Sequence, residues 1–113
     1  MHELGLMDAM LKTVQRIAQE ESLHQVHKIV LEIGELSGVV PHFIEDCYEA
    51  VVADTPYEKT LLEIEMVPGI ARCNDCKIDF RIDLEALICP QCGGKFLTPI
   101  AGKDLTIKQI EAD

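Results

Sequence analysis

Cys73-Asn74-Asp75-Cys76, twelve further residues, and then Cys89-Pro90-Gln91-Cys92-Gly93-Gly94 form the stretch on which the rest of the chain turns. Two Cys-x-x-Cys pairs at this separation have the spacing of a tetrathiolate metal knot. Each pair makes a tight turn that aims two sulfurs and nearby backbone N–H groups at one point. Two such turns on neighbouring hairpins supply four thiolates in a tetrahedron, which zinc accepts with no d-electron preference. Two alternatives share the pattern: iron in a rubredoxin-like site, and a pair of disulfides. A fifth, unpaired Cys47 speaks against the disulfides. A site filled by four protein sulfurs leaves no coordination position for a substrate, so its role is structural.

The chain around this knot has 113 residues, the size of one domain or of one domain plus a small module. Hydrophobic residues make up 48%, enough for a core, and with aromatics at 4% and no Trp that core is aliphatic. The net charge is −10. A zinc tetrathiolate adds about −2 more, because four thiolates outweigh one dication. A binder of nucleic-acid backbone needs a basic stripe, and the ten Lys and Arg are scattered, so no nucleic-acid partner is expected. The first twenty residues carry charges throughout and lack the apolar run of a signal peptide. No stretch is long enough to span a membrane. Free thiols and a metal knot imply a reducing compartment, so the expected location is the cytoplasm.

Ahead of the knot the hydrophobic periodicity changes twice. Met7, Leu11, Val14 and Ile17/Ala18 recur at helical steps and predict an amphipathic helix over 4–20. Ile29, Leu31 and Ile33 alternate with Lys28 and Glu32, which predicts a strand over 26–33. Pro41 suits a first helical turn and opens a second helix, to about Asp54, with the stripe Phe43/Ile44, Cys47/Tyr48, Val51/Val52. A second alternating strand spans 60–67, with Leu62, Ile64 and Met66 on one face. Pro68-Gly69 marks the entry to the metal module, and Ile78–Ile82 reads as a short strand inside it. A last alternating strand, 104–111, returns to the first sheet and makes the metal module an insertion. The expected fold is α+β: a two-layer sandwich of two helices on a three-stranded sheet, with an inserted zinc-ribbon module. Residues 1–69 plus 99–113 form the larger domain and residues 70–98 the zinc-binding one.

No hydrolytic triad, phosphate loop or dinucleotide fingerprint is present, so an enzyme is not expected. The other feature with chemistry is Met1-His2-Glu3. The initiator Met is normally removed only before small residues, so it stays before His2. An α-amine, the His2 backbone nitrogen and the His2 imidazole can then close two small chelate rings on one ion. Nickel(II) and copper(II) favour such nitrogen-rich, tetragonal geometry. Glu3 can add an oxygen or its backbone nitrogen. The amine titrates near neutrality, at roughly 7.7 to 8.0, so capture depends on pH and releases protons. Elsewhere His24, His27 and His42 read as exposed side chains. Cys47, on an apolar stripe, reads as a buried thiol. Arg72, Lys77 and Lys95 flank the knuckles and could offset thiolate charge.

The tripeptide start, the two knuckles inside an α+β domain, Ile33-Gly34-Glu35 after the first strand and the closing Leu105-Thr106-Ile107 together resemble the HypA/HybF family of hydrogenase maturation nickel metallochaperones. The resemblance spans the whole chain. It implies that Ni(II) is a transient cargo held at the N-terminus by the Met1 amine, His2 and Glu3. It implies that Cys73, Cys76, Cys89 and Cys92 hold Zn(II) in a separate small domain. It further implies delivery toward the [NiFe]-hydrogenase active site, with the HypB GTPase and the hydrogenase large-subunit precursor as partners, and urease maturation proteins in part of the family. Some members carry His beside the zinc knuckles; here Asn74, Asp75, Lys77, Pro90, Gln91 and Gly93 stand there instead. The same residues also admit a zinc-ribbon adaptor of transcription or translation with no nickel role.

Overall fold

The computed structural model describes residues 3–113. Helix α1 runs from Glu3 to Glu20 and buries Met7, Met10, Leu11 and Val14 along one face. It ends without glycine. Ser22 takes the left-handed conformation (φ 54°), the Leu23 N–H donates to the Ala18 carbonyl at 2.9 Å, and the Ser22 N–H donates to that of Gln19 at 3.3 Å. These two bonds are a Schellman closure, which satisfies carbonyls that the helix end would otherwise leave unpaired.

Strand β1, Val26–Gly34, is the centre of the larger sheet. Ile29, Leu31 and Ile33 are fully buried against the helices, and Val30, on the opposite face, is also buried. Helix α2, Pro41–Val52, starts with its proline in the first turn, where a missing N–H matters least. It stops where Asp54 turns left-handed (φ 59°), with the Thr55 hydroxyl donating to the Val52 carbonyl at 2.6 Å. This helix is the crossover that lets β2, Leu61–Val67, lie parallel to β1. Three further strands, β3 (Ile70–Cys73), β4 (Asp79–Arg81) and β5 (Leu97–Ala101), make a separate antiparallel sheet in the order β4-β3-β5. Strand β6, Leu105–Ala112, returns antiparallel to β1 and completes the first sheet in the order β2-β1-β6.

The chain is therefore the expected α+β sandwich of two helices on a three-stranded sheet, with the cysteine ribbon inserted between β2 and β6. The molecule is elongated, 53 × 25 × 17 Å. Its core is the aliphatic layer of Met7, Leu11 and Val14 from α1, Ile29, Leu31 and Ile33 from β1, and Ile44, Tyr48 and Val52 from α2. Burying a side chain of this kind contributes about 1.5–3 kcal/mol, so this layer dominates the stability of the larger lobe. One expectation changes, for Cys47. Met66 is 49% exposed, because the end of edge strand β2 lies beyond the cover of α2, while Leu62 and Ile64 do pack on the core. Cys47 is half-buried at the rim of α2.

The helices fix which end of the larger lobe is which. Leu6 and Met10 share a groove with Leu105, Thr106 and Ile107, whereas Gln19 and Ser22 face Pro56 and Tyr57 at the far end. The first turn of α1 thus lies where β1 runs out and the ribbon begins. At that junction the Gly34 N–H donates to the Asp104 carbonyl at 2.9 Å, and the Leu36 N–H to that of Gly102 at 2.8 Å. Across it, Arg81 of β4 pairs with the Glu35 carboxylate.

Candidate metal centre

The two knuckles repeat one backbone design. In the first, the Lys77 N–H donates to the Cys73 carbonyl at 2.8 Å, and the Cys73 N–H donates to that of Ile78 at 2.9 Å. In the second, the Gly93 N–H donates to Cys89 at 2.9 Å, and the Cys89 N–H donates to Gly94 at 2.8 Å. Each turn needs a left-handed residue four positions after its first cysteine, and Lys77 (φ 67°) and Gly93 (φ 73°) fill that place. The N–H one residue later then points at the second sulfur: Gly94 N–H reaches Cys92 Sγ at 3.3 Å, and Ile78 N–H serves Cys76. Asn74 holds the first knuckle to the strand opposite, through Nδ2 to the Phe96 carbonyl at 3.1 Å and the Thr98 hydroxyl at 2.8 Å.

These turns bring the four sulfurs together. All lie within 4.8 Å of one another, with Cys73 to Cys92 and Cys76 to Cys89 both at 3.6 Å. A disulfide needs about 2.05 Å, so these are four free thiols. Four sulfurs on a tetrahedron around a dication, with bonds of about 2.3 Å, stand about 3.8 Å apart, so the donor set and its spacing fit such an ion. Cys73 and Cys89 are buried and Cys92 is exposed at the tip. The protons are divided unevenly. Burial, reinforced by the neighbouring thiols, pushes Cys76 up to about 12. Burial also acts on Cys89, but backbone N–H groups of Cys92 and Gln91, with the Cys76 and Cys92 thiols, outweigh it and bring Cys89 down to about 7. A dication at the centre of the four sulfurs would cross-link both knuckles.

The other residues singled out by sequence lie apart from this cluster. Met1 and His2 fall outside the described residues. Glu3 opens α1, where a carboxylate suits the positive end of the helix. His27 Nε2 lies 2.8 Å from Asp113 Oδ2, and His42 Nε2 lies 3.5 Å from Asp46 Oδ2. Arg72 does not offset the sulfurs. Its guanidinium grips Asp79 at 2.7 and 3.1 Å, locking β3 to β4, and each partner holds the other in its charged form. Among the described residues no other group of three or more ligand-bearing side chains converges on one point.

A family model described as hydrogenase/urease nickel incorporation, metallochaperone, hypA, matches residues 1–112. The chain belongs to the HypA family. It is 37% identical over 113 residues to the hydrogenase maturation factor HypA of Geotalea uraniireducens, with all of both chains covered. It is 36% identical to that of Dehalococcoides mccartyi, covering all of this chain and 95% of the relative. The solution structure of the Ni metallochaperone HypA from Helicobacter pylori superposes with a TM-score of 0.73 at 20% identity, over 99% of this chain and 97% of the other. A second HypA solution structure gives 0.72 at 19% identity, over 98% and 95%. Both share the fold. As a HypA, the chain is a member of a nickel-incorporation metallochaperone family of hydrogenase maturation, and not an enzyme. No helix among the described residues is long and apolar enough to cross a membrane.

Proposed function

We propose that this chain carries Ni(II) at its N-terminus, on the Met1 amine, His2 and Glu3, and that Cys73, Cys76, Cys89 and Cys92 hold a structural Zn(II). The observation that carries the reading is the closure of the sulfur cluster. Four thiols converge on one centre and leave no position for a cargo ion that must be released. Transport then needs a second, more open ligand set, and a chelate on an N-terminal dipeptide is one that a competing set can strip. Glu3 stands at the start of α1, at the ribbon end of the sheet, which suits hand-over near the junction. The corresponding division is a nickel-binding domain of residues 1–69 plus 99–113 and a zinc-binding domain of residues 70–98. The recipient is the [NiFe]-hydrogenase large-subunit precursor, with the HypB GTPase as co-worker in the cytoplasm; urease maturation proteins are partners in that part of the family that also feeds urease.

Calorimetric nickel titration of untagged protein tests the site, with zinc, iron and nickel counted per chain. His2→Ala should abolish stoichiometric nickel binding and leave the fold and the zinc intact; unchanged affinity overturns the assignment. Residues added before Met1 turn the amine into an amide and should weaken nickel binding, and equal affinity would rule the amine out. Iron in place of zinc would make the ribbon a rubredoxin-like centre.

A further inference from the structure

The larger sheet has two open edges, and they differ. The β6 edge is broken by two irregularities in its pairing with β1, at Val26/Lys28 and at Val30/Leu31. Such bulges twist an edge away from new partners. The β2 edge is regular: Lys28↔Leu61 to Gly34↔Val67 pair in unbroken parallel register over seven residues. Every second residue of β2 directs its N–H and C=O away from β1. Among the described residues the only further backbone bond to this strand is the Glu35 N–H to the Val67 carbonyl, 2.9 Å, at its very end. The strand contains no proline, and Leu61 is 65% exposed. Beside it runs a groove lined by Tyr48, Val52, Leu61 and Leu62, with Glu45 and Glu49 of α2 along it. Glu58 and Lys59 close one end, with Glu58 committed to the Asp54 N–H at 2.7 Å. Glu45 and Glu49 sit one turn apart on exposed positions of α2, and neither pairs with a cation among the described residues.

We infer that this groove captures an extended, basic and apolar segment of a partner protein, which adds to the open edge of β2 as a fourth strand. Main-chain bonds to the edge supply affinity, and alternate side chains of the guest face the groove beside α2. Charge selects the occupant. A second copy of this chain would set one net charge of −10 against another, although Glu63 and Glu65 on β2 are themselves paired with Lys28 and Lys108. A nucleic acid is repelled for the same reason. A guest that alternates apolar residues with Lys or Arg sets its cations on the helix side of the sheet, toward Glu45 and Glu49, and its apolar side chains on the other face, beside exposed Leu61. The inference rests on the sheet edge and not on either metal site.

The test uses full-length isotope-labelled protein with a ten-residue peptide alternating valine and lysine. Saturable amide shifts confined to β2 and the Glu45–Val52 flank, with slowed hydrogen exchange at alternate β2 amides, are expected. The same peptide N-methylated along its pairing edge should not bind, and one alternating valine with glutamate should bind at least about tenfold more weakly. Glu45→Lys with Glu49→Lys, both on exposed helix positions, should weaken the lysine peptide about tenfold and flatten its salt dependence. No saturable shift in β2, equal binding of the methylated or glutamate peptide, or unchanged affinity in the double variant overturns the inference. So does a sedimenting dimer that buries β2.

Discussion

Gly34 and Gly102 meet backbone to backbone: a Cβ on Gly34 would stand 2.0 Å from the Gly102 carbonyl oxygen. A Cβ on Gly102 would in turn stand 2.1 Å from that of Pro68, and Gly102 is left-handed besides (φ 67°). The end of β1 and the two links that carry the ribbon therefore cross at one node with no room for side chains. Arg81 and Glu35 span the same node from the surface.

The node should be far more sensitive than the ion pair beside it. Gly34→Ala and Gly102→Ala each force backbone to move, and at Gly102 the left-handed conformation alone adds about 1–2 kcal/mol. Each should lower the urea midpoint markedly. Arg81→Ala removes a pair whose guanidinium is solvent-exposed, worth about 0.2–1 kcal/mol, and should leave the midpoint nearly unchanged. Comparable losses in all three variants would show that the ion pair, and not the close approach, fixes the junction.

The paired knuckles carry different residues at their left-handed position, which gives a test of the repeat itself. Lys77 and Gly93 occupy equivalent left-handed places. A Cβ on Gly93 would meet nothing within 4 Å, so Gly93→Ala should cost only its conformational term, about 1 kcal/mol. Lys77→Gly relieves that strain but frees the unfolded chain by about 0.4–1 kcal/mol, so it should be close to neutral. Thermal unfolding of the metal-loaded protein checks both. A large loss in Lys77→Gly would mean that the lysine side chain matters to the knuckle.

What could be read from the sequence was what is local. The cysteine spacing specifies its turns because ligand, turn and N–H donors all lie within six residues. The alternation of Ile29, Leu31 and Ile33 marks β1 because both faces of that strand are decided by its own neighbours. Strands β3 and β5 carry no such signal. They are short, and Ile70 finds its partner Ala101 across the whole ribbon. The same distance hid the Gly34–Gly102 node and the Glu35–Arg81 pair, which depend on where an inserted module closes. Arg72 looked like a neighbour of the sulfurs by position, but the strand pleat directs it to Asp79 on β4. His2 remains an expectation from chemistry and resemblance.

Tyr48 makes the larger lobe sensitive to alkali. Its hydroxyl is buried and donates to the Thr60 carbonyl at 2.7 Å, and burial pushes its pKa from the usual 10 up to about 12. The fold therefore favours the neutral phenol. That contribution is complete below pH 10 and is lost as pH rises toward 12. Tyr48→Phe should cost about 1 kcal/mol at neutral pH, since the Thr60 carbonyl loses its donor. The stability gap between wild type and variant should then narrow through the alkaline window, because only the wild type has this group to ionise. A gap that stays constant to pH 12 would contradict the assignment.

Removing the ribbon's metal should separate the two lobes in stability. Between Ile70 and Ala101 the only buried side chains are Ala71, Cys73 and Cys89, so the small sheet has almost no apolar core of its own. A module of this size without a core needs a cross-link, and a dication on the four thiols would supply it. The larger lobe keeps its own aliphatic layer from α1, β1 and α2. Chelation, or Cys76→Ser, should therefore collapse the amide dispersion of residues 70–98 while the signals of Ile29, Leu31 and Ile33 persist. The Gly34–Gly102 node sets the limit of that independence. If the loss spreads through Gly102 into β6, which pairs with β1 along its length, the lobes melt as one cooperative unit and the division at residues 69 and 99 is not a folding boundary.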